Sequence, residues 1–96
     1  MRVTEVKVSL RDEEMLRAYA TIVLDDFFAI HELRIIQSAR GYLVAMPSKP
    51  LRDGRRADIA HPITLEARRI IEEAVMAEYG KVVGEAVSAA IEPVRG

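Results

Sequence analysis

Apolar residues recur at every second position through the first half of this chain and at every third or fourth position through much of the second. That one change of period divides the molecule into a sheet-forming part and a helix-forming part. Val6, Val8 and Leu10 alternate with Lys7 and Ser9, which places three aliphatic side chains on one face of a strand. Arg11-Asp12-Glu13-Glu14 is too polar to continue it and predicts a hairpin connection. From Met15 to Leu24 the positions Leu16, Ala18, Ala20, Ile22 and Leu24 are all apolar. The alternation predicts a second strand, although by propensity alone Met-Leu-Arg-Ala-Tyr-Ala also suits a helix start. Asp25-Asp26 interrupts the pattern, and Phe27 to Gln37 resumes it as a third strand. One face there carries Phe27, Ala29, His31, Leu33 and Ile35, and the other carries Phe28, Ile30 and Ile36 around Glu32 and Arg34. Apolarity on both faces predicts that both meet protein, one the domain's own core and the other a second copy. Ser38-Ala39-Arg40-Gly41 turns the chain into a strand from Tyr42 to Met46, which stops at Pro47 for want of an N–H. Successive strands with short turns describe an antiparallel meander of four to five strands.

In the second half Ala67, Ile70, Ile71, Ala74 and Val75 recur at helical spacing, with Thr64 placed to cap the first turn. The spacing predicts a helix over about Leu65–Tyr79, closed by Gly80 at C′ where a left-handed dihedral is cheap. Val82, Val83, Ala86, Val87 and Ala90 allow a second short helix, weakened by Gly84 and stopped by Pro93; otherwise the end is partly disordered. The expected organisation is a single α+β domain over residues 1–80 with a C-terminal extension over 81–96.

Ninety-six residues suit one modest core, and 50% hydrophobic with 30% charged residues is ordinary for a globular chain. No apolar run approaches the ~20 residues that span a bilayer, the N-terminus lacks a signal-peptide core, and cysteine is absent. The expectation is a cytoplasmic protein without membrane insertion. Net charge is −1, but it is unevenly spread: residues 49–69 hold six basic and three acidic side chains, and residues 70–96 hold two and five. A cationic segment in a near-neutral chain focuses a field that attracts polyanions.

Ser48, His61 and Asp58 have the types of a nucleophile, a base and an orienting group. However, Ser48 follows Met-Pro in a loop, with no strained elbow and no glycine-rich oxyanion element, so no catalytic residue and no small-molecule substrate is expected. His31 and His61 lack any ligand spacing, which predicts neither metal nor cofactor. The basic set Lys49, Arg52, Arg55, Arg56, Arg68 and Arg69 is different in kind. Lys49 to Arg56 read as an exposed loop, Asp53-Gly54 is its turn signal, and Arg68 and Arg69 fall in the first turns of the helix that the loop feeds. Planar guanidinium groups near a helix start make a workable phosphate-contact surface that would suit nucleic acid, DNA or RNA, the plain alternative being a solvated loop that carries arginines. With 5% aromatic residues, backbone contacts should outweigh base stacking.

The order Ala-Met-Pro-Ser-Lys over 45–49, Asp53-Gly54, and then Asp-Ile-Ala-His-Pro-Ile over 58–63 resembles the SpoVG family (stage V sporulation protein G, also called septation protein). Matching stretches run from Val3-Thr4-Glu5-Val6 through Thr21-Ile22-Val23-Leu24-Asp25 and His31-Glu32-Leu33-Arg34 to Ala74-Val75 and Glu78-Tyr79, covering about residues 1–80. The resemblance implies a small bacterial cytoplasmic homodimer, an antiparallel sheet with a C-terminal helix, and a regulator of septation and sporulation that binds DNA and RNA. It carries basic contacts over to Lys49, Arg56 and Arg68. Family members often have arginine immediately before Asp-Ile-Ala-His-Pro, where Ala57 stands here, with Arg55 and Arg56 upstream to compensate. The rival expectation is a structural or interaction component of septation that works through an exposed apolar surface.

Overall fold

A computed structural model of the chain describes the backbone of residues 1–91 and the side chains of residues 1–85. The alternating half forms a four-stranded antiparallel sheet in which β1 (Val3–Leu10), β2 (Leu16–Leu24), β3 (Phe28–Ser38) and β4 (Gly41–Ala45) lie in sequence order. This is the expected meander. The turn between β2 and β3 is made by Asp25 and Asp26, both left-handed at φ 52° and 59°, with Phe27 N–H donating to the Leu24 carbonyl at 2.9 Å. Two positive φ values in succession match the right-handed twist of a hairpin, and aspartate tolerates them better than most residues. The turn is pinned to the start of β1, because Arg2 N–H donates to Asp25 Oδ1 at 3.0 Å and Asp26 N–H to Thr4 Oγ1 at 3.0 Å.

The faces of β3 differ from simple alternation. Ala20 pairs with Leu33 and Ile22 with Ile30, so β3 holds one residue more than β2 across this interval, and Glu32 takes up the excess at φ 65°. A bulge of this kind reverses the phase of everything beyond it. Phe28 and Ile30 therefore share a face with Leu33 and Ile35, while Ala29 and His31 share the opposite face with Arg34 and Ile36. The expected grouping of Phe27, Ala29 and His31 with Leu33 and Ile35 is corrected by that extra residue.

One face of the sheet is covered by α1 (Leu65–Ile91), which packs chiefly across β1. Thr64 caps it as expected, accepting from Ala67 N–H at Oγ1 (3.0 Å) and from Arg68 N–H at its carbonyl (3.1 Å). Ile71, Val75 and Tyr79, four residues apart, form its buried stripe and meet Ala18, Ala20, Ile22, Leu33, Ile35, Val44 and Met46 from the sheet. Each fully buried aliphatic side chain contributes roughly 1.5–3 kcal/mol. The helix does not stop at Gly80. It runs through Gly80 and Gly84, neither of which has a positive φ, because glycine lowers helix stability without forbidding it. One helix thus replaces the expected pair, and the stop expected at Pro93 lies outside the described residues. Among the described residues no helix is long and apolar enough to cross a membrane.

Candidate nucleic-acid interface

The basic segment expected as a loop is a second, two-stranded sheet. β5 (Ser48–Pro50) pairs antiparallel with β6 (Arg56–Asp58), with Ser48 opposite Asp58, Lys49 opposite Ala57 and Pro50 opposite Arg56. The tip closes through Leu51 N–H to the Arg55 carbonyl at 2.7 Å and Gly54 N–H to the Leu51 carbonyl at 3.1 Å. Gly54 sits at φ 90°, the conformation that the Asp-Gly signal implies. Asp53 then accepts from Arg55 twice, from the backbone N–H at 3.0 Å and from Nε at 2.7 Å, which offsets part of the Arg55 charge.

Arg56 is held differently. Its Nε donates to Ser48 Oγ at 2.9 Å and its Nη2 to the Ser48 carbonyl at 3.1 Å. Arg34, arriving from β3, donates through Nη2 to the same Ser48 Oγ at 3.1 Å and to the Met46 carbonyl at 3.4 Å. Two guanidinium groups therefore converge on one neutral side chain, and neither makes an ion pair among the described residues although register sets Asp58 opposite Ser48; two cations this close suit an anionic oxygen. Sequence reasoning missed Arg34, since nothing in the spacing of β3 links it to a hairpin fourteen residues later. Only the reach of the Arg34 side chain to the Met46 carbonyl and Ser48 Oγ joins them.

The remaining basic residues are more dispersed. Lys49 and Arg52 are exposed on the hairpin and make no ion pair among the described residues. Register places Lys49 and Ala57 on one face of the hairpin and Arg56 on the other. On the helix, Arg68 Nη1 lies 3.4 Å from Glu72 Oε2, and Arg69 is exposed without such a partner among the described residues. Among the described residues no contact between α1 and the β5–β6 hairpin brings the two arginine groups together, and Ile59 to Thr64 separates them along the chain. Register sets Ser48 opposite Asp58, but among the described residues no hydrogen bond links Ser48, Asp58 and His61: Ser48 Oγ accepts from arginines, and His61 Nδ1 lies 3.0 Å from the Pro62 carbonyl oxygen. Among the described residues no group of three histidine or carboxylate side chains is placed to hold a metal ion.

One helix among the described residues, laid over one face of an antiparallel meander, with a short arginine-bearing hairpin, defines a small α+β domain. The chain belongs to the SpoVG family, whose model matches residues 1–81. It is 47% identical over 81 residues to a septation protein SpoVG of Bdellovibrio bacteriovorus, covering 84% of this chain and 75% of that one. It is similar to the protein of the same name from Oceanobacillus iheyensis at 48% over 82 residues, covering 84% and 85% of the two chains. The counterpart from Phytoplasma australiense is 40% identical over 88 residues, covering 91% and 92%.

Proposed function

We propose that this protein is a non-catalytic regulator associated with septation and sporulation-type control, acting in the cytoplasm as a homodimer that binds nucleic acid. The names of its relatives support the process. The observation that carries the binding is the convergence of Arg34 and Arg56 on Ser48, next to Lys49 and Arg52 on the same hairpin. Three cationic side chains on the hairpin, Lys49 and Arg56 on opposite faces and Arg52 at its tip, together with Arg34 reaching in from β3, suit a polyanion, and Arg55, Arg68 and Arg69 extend the field. Dimerisation is supported by apolar surface at the other end of β3, where Phe27 is 94% exposed, Phe28 65% and Ile59 67%.

The test is a salt titration of binding to labelled DNA and RNA. Removing one phosphate-binding side chain should flatten the slope of log affinity against log salt by about 0.9 on duplex and about 0.7 on single strands. Replacing Lys49 and Arg52 together by alanine should weaken binding to all sequences alike and reduce the slope by one to two such steps. Folding should be intact, because exposed hairpin charges shift stability by less than ~0.5 kcal/mol. Unchanged affinity and slope in a folded double variant would remove the hairpin from the interface, and absence of any binding by the parent would leave the interaction-protein reading in its place.

A further inference from the structure

The face of the sheet opposite α1 carries no covering element among the described residues, and its centre is neither flat nor uniformly charged. A shallow depression of about 430 Å³ there is lined by Lys7, Ser9, Tyr19, Thr21, His31 and Glu32. Register aligns its neighbours: Ser9 is opposite Tyr19, and Tyr19 is opposite Arg34 on the same face. The arginine pair that grips Ser48 therefore begins one strand away from the Tyr19 ring. Arg11 lies over that ring, 5.2 Å from its centroid, and is itself held by Ser9 Oγ and the Leu10 carbonyl at 2.9 Å each. Thr21 Oγ1 and His31 Nδ1 are 3.1 Å apart, which sets the imidazole and leaves Nε2 as its remaining polar atom.

We infer that this depression receives one unpaired nucleobase, and that the strand carrying it lays its phosphates on Arg34 and Arg56. The inference rests on the nucleic-acid reading above and specifies the substrate as single-stranded. The lining has one aromatic wall, one cationic and one anionic side chain, and three groups able to hydrogen-bond at an edge. That composition suits a flat, neutral, hydrogen-bonding ligand better than a phosphate. The phosphate chemistry begins across from Tyr19 on the next strand, at Arg34, whose side chain reaches Ser48. A base inside a duplex hides its face against its neighbours and cannot lie on the stacked Arg11 and Tyr19 side chains, whereas an unpaired base can. Few aromatic residues are needed for this, since one ring and one stacked guanidinium form a platform for a single base.

The test compares a fluorescently labelled single-stranded oligonucleotide with its duplex, using the full chain. Single-strand affinity should exceed duplex affinity. Tyr19→Leu should lower single-strand affinity by roughly ten-fold, while duplex affinity stays unchanged and Tyr19→Phe retains the parent's value. Backbone amide shifts of the unsubstituted protein on adding the single strand supply a readout independent of any variant, and they should move at Lys7, Tyr19, Thr21 and His31. Binding that is equal for both forms, indifferent to Tyr19→Leu and silent at those amides overturns this inference while leaving the hairpin reading intact. Absence of all binding by the parent overturns both, and a change of oligomeric mass in Tyr19→Leu without a change in affinity would assign the face to a second copy instead.

Discussion

Tyr79 is 8% exposed on the inner side of α1, its ring centroid 5.5 Å from that of Tyr42 at a tilt of 59°. Burial raises its phenol pKa above the ordinary 10.0, the neighbouring Tyr42 adds to the rise, and Arg17 opposes it. Because the folded value is the higher one, the stabilising contribution is complete below the unfolded value and is lost as pH rises through the folded value. The parent should therefore lose stability relative to Tyr79→Phe above about pH 10, measured by urea unfolding at a series of alkaline pH values. Parallel curves would show that the phenol is not held neutral by the fold. Arg17 itself has a buried Nε without a hydrogen-bond partner, so its proximity to Tyr79 offers electrostatic compensation only in part. None of this is visible in the sequence, where Tyr79 marks only the end of a periodic run and Arg17 an outward position in a strand.

At the scale of elements the instructive cases are β3 and α1. The alternation that locates β3 cannot reveal the extra residue at Glu32, because a bulge leaves local hydrophobicity unchanged and alters only which partner each residue meets. In α1 the misleading signal is Gly80. Glycine after a periodic run reads as a cap, yet here the backbone stays helical and a Cβ added at Gly80 would meet nothing within 4 Å. Gly80→Ala should then stabilise the protein by about 0.5–1 kcal/mol through helix propensity and a less flexible unfolded chain. A glycine in a left-handed cap would give the opposite sign, so a thermal melt of this one variant separates the two geometries. Thr64, by contrast, is legible, since its capping role depends only on residues three and four positions ahead.

For the whole molecule the question is what covers its apolar surface. Two-sided apolarity of β3 is the ground on which the sequence predicts a dimer, and the bulge withdraws much of it by turning Phe28 and Ile30 to the face that carries Leu33 and Ile35. A different ground replaces it. β4 pairs with β3 only from Arg34 to Ser38, so the Phe28–Leu33 edge has no strand beside it among the described residues, and Phe28, Pro47, Ile59 and Ala60 line a depression of about 310 Å³ along it. An uncovered edge flanked by exposed aromatic and aliphatic side chains is a template for association. Light scattering at micromolar concentration should return twice the chain mass, and Phe28→Asp should shift the protein to monomer without loss of helix or sheet signal. A monomeric parent would count against the dimer, and a dimeric Phe28→Asp would move the interface elsewhere.

Period, punctuation and composition sufficed to establish the α+β class, the order of the strands, the start of the helix and the basic character of residues 49–56. These are local properties, set by neighbours a few positions away, and local signals survive in a one-dimensional string. The tertiary structure alone decided that Arg34 joins Arg56 at Ser48, that the helix arginines stand apart from the hairpin, and that Tyr19 lines the sheet face opposite α1 beneath Arg11. Those outcomes depend on which strand lies beside which and on one extra residue in β3, and pairing across ten to twenty positions leaves no periodic mark in the chain.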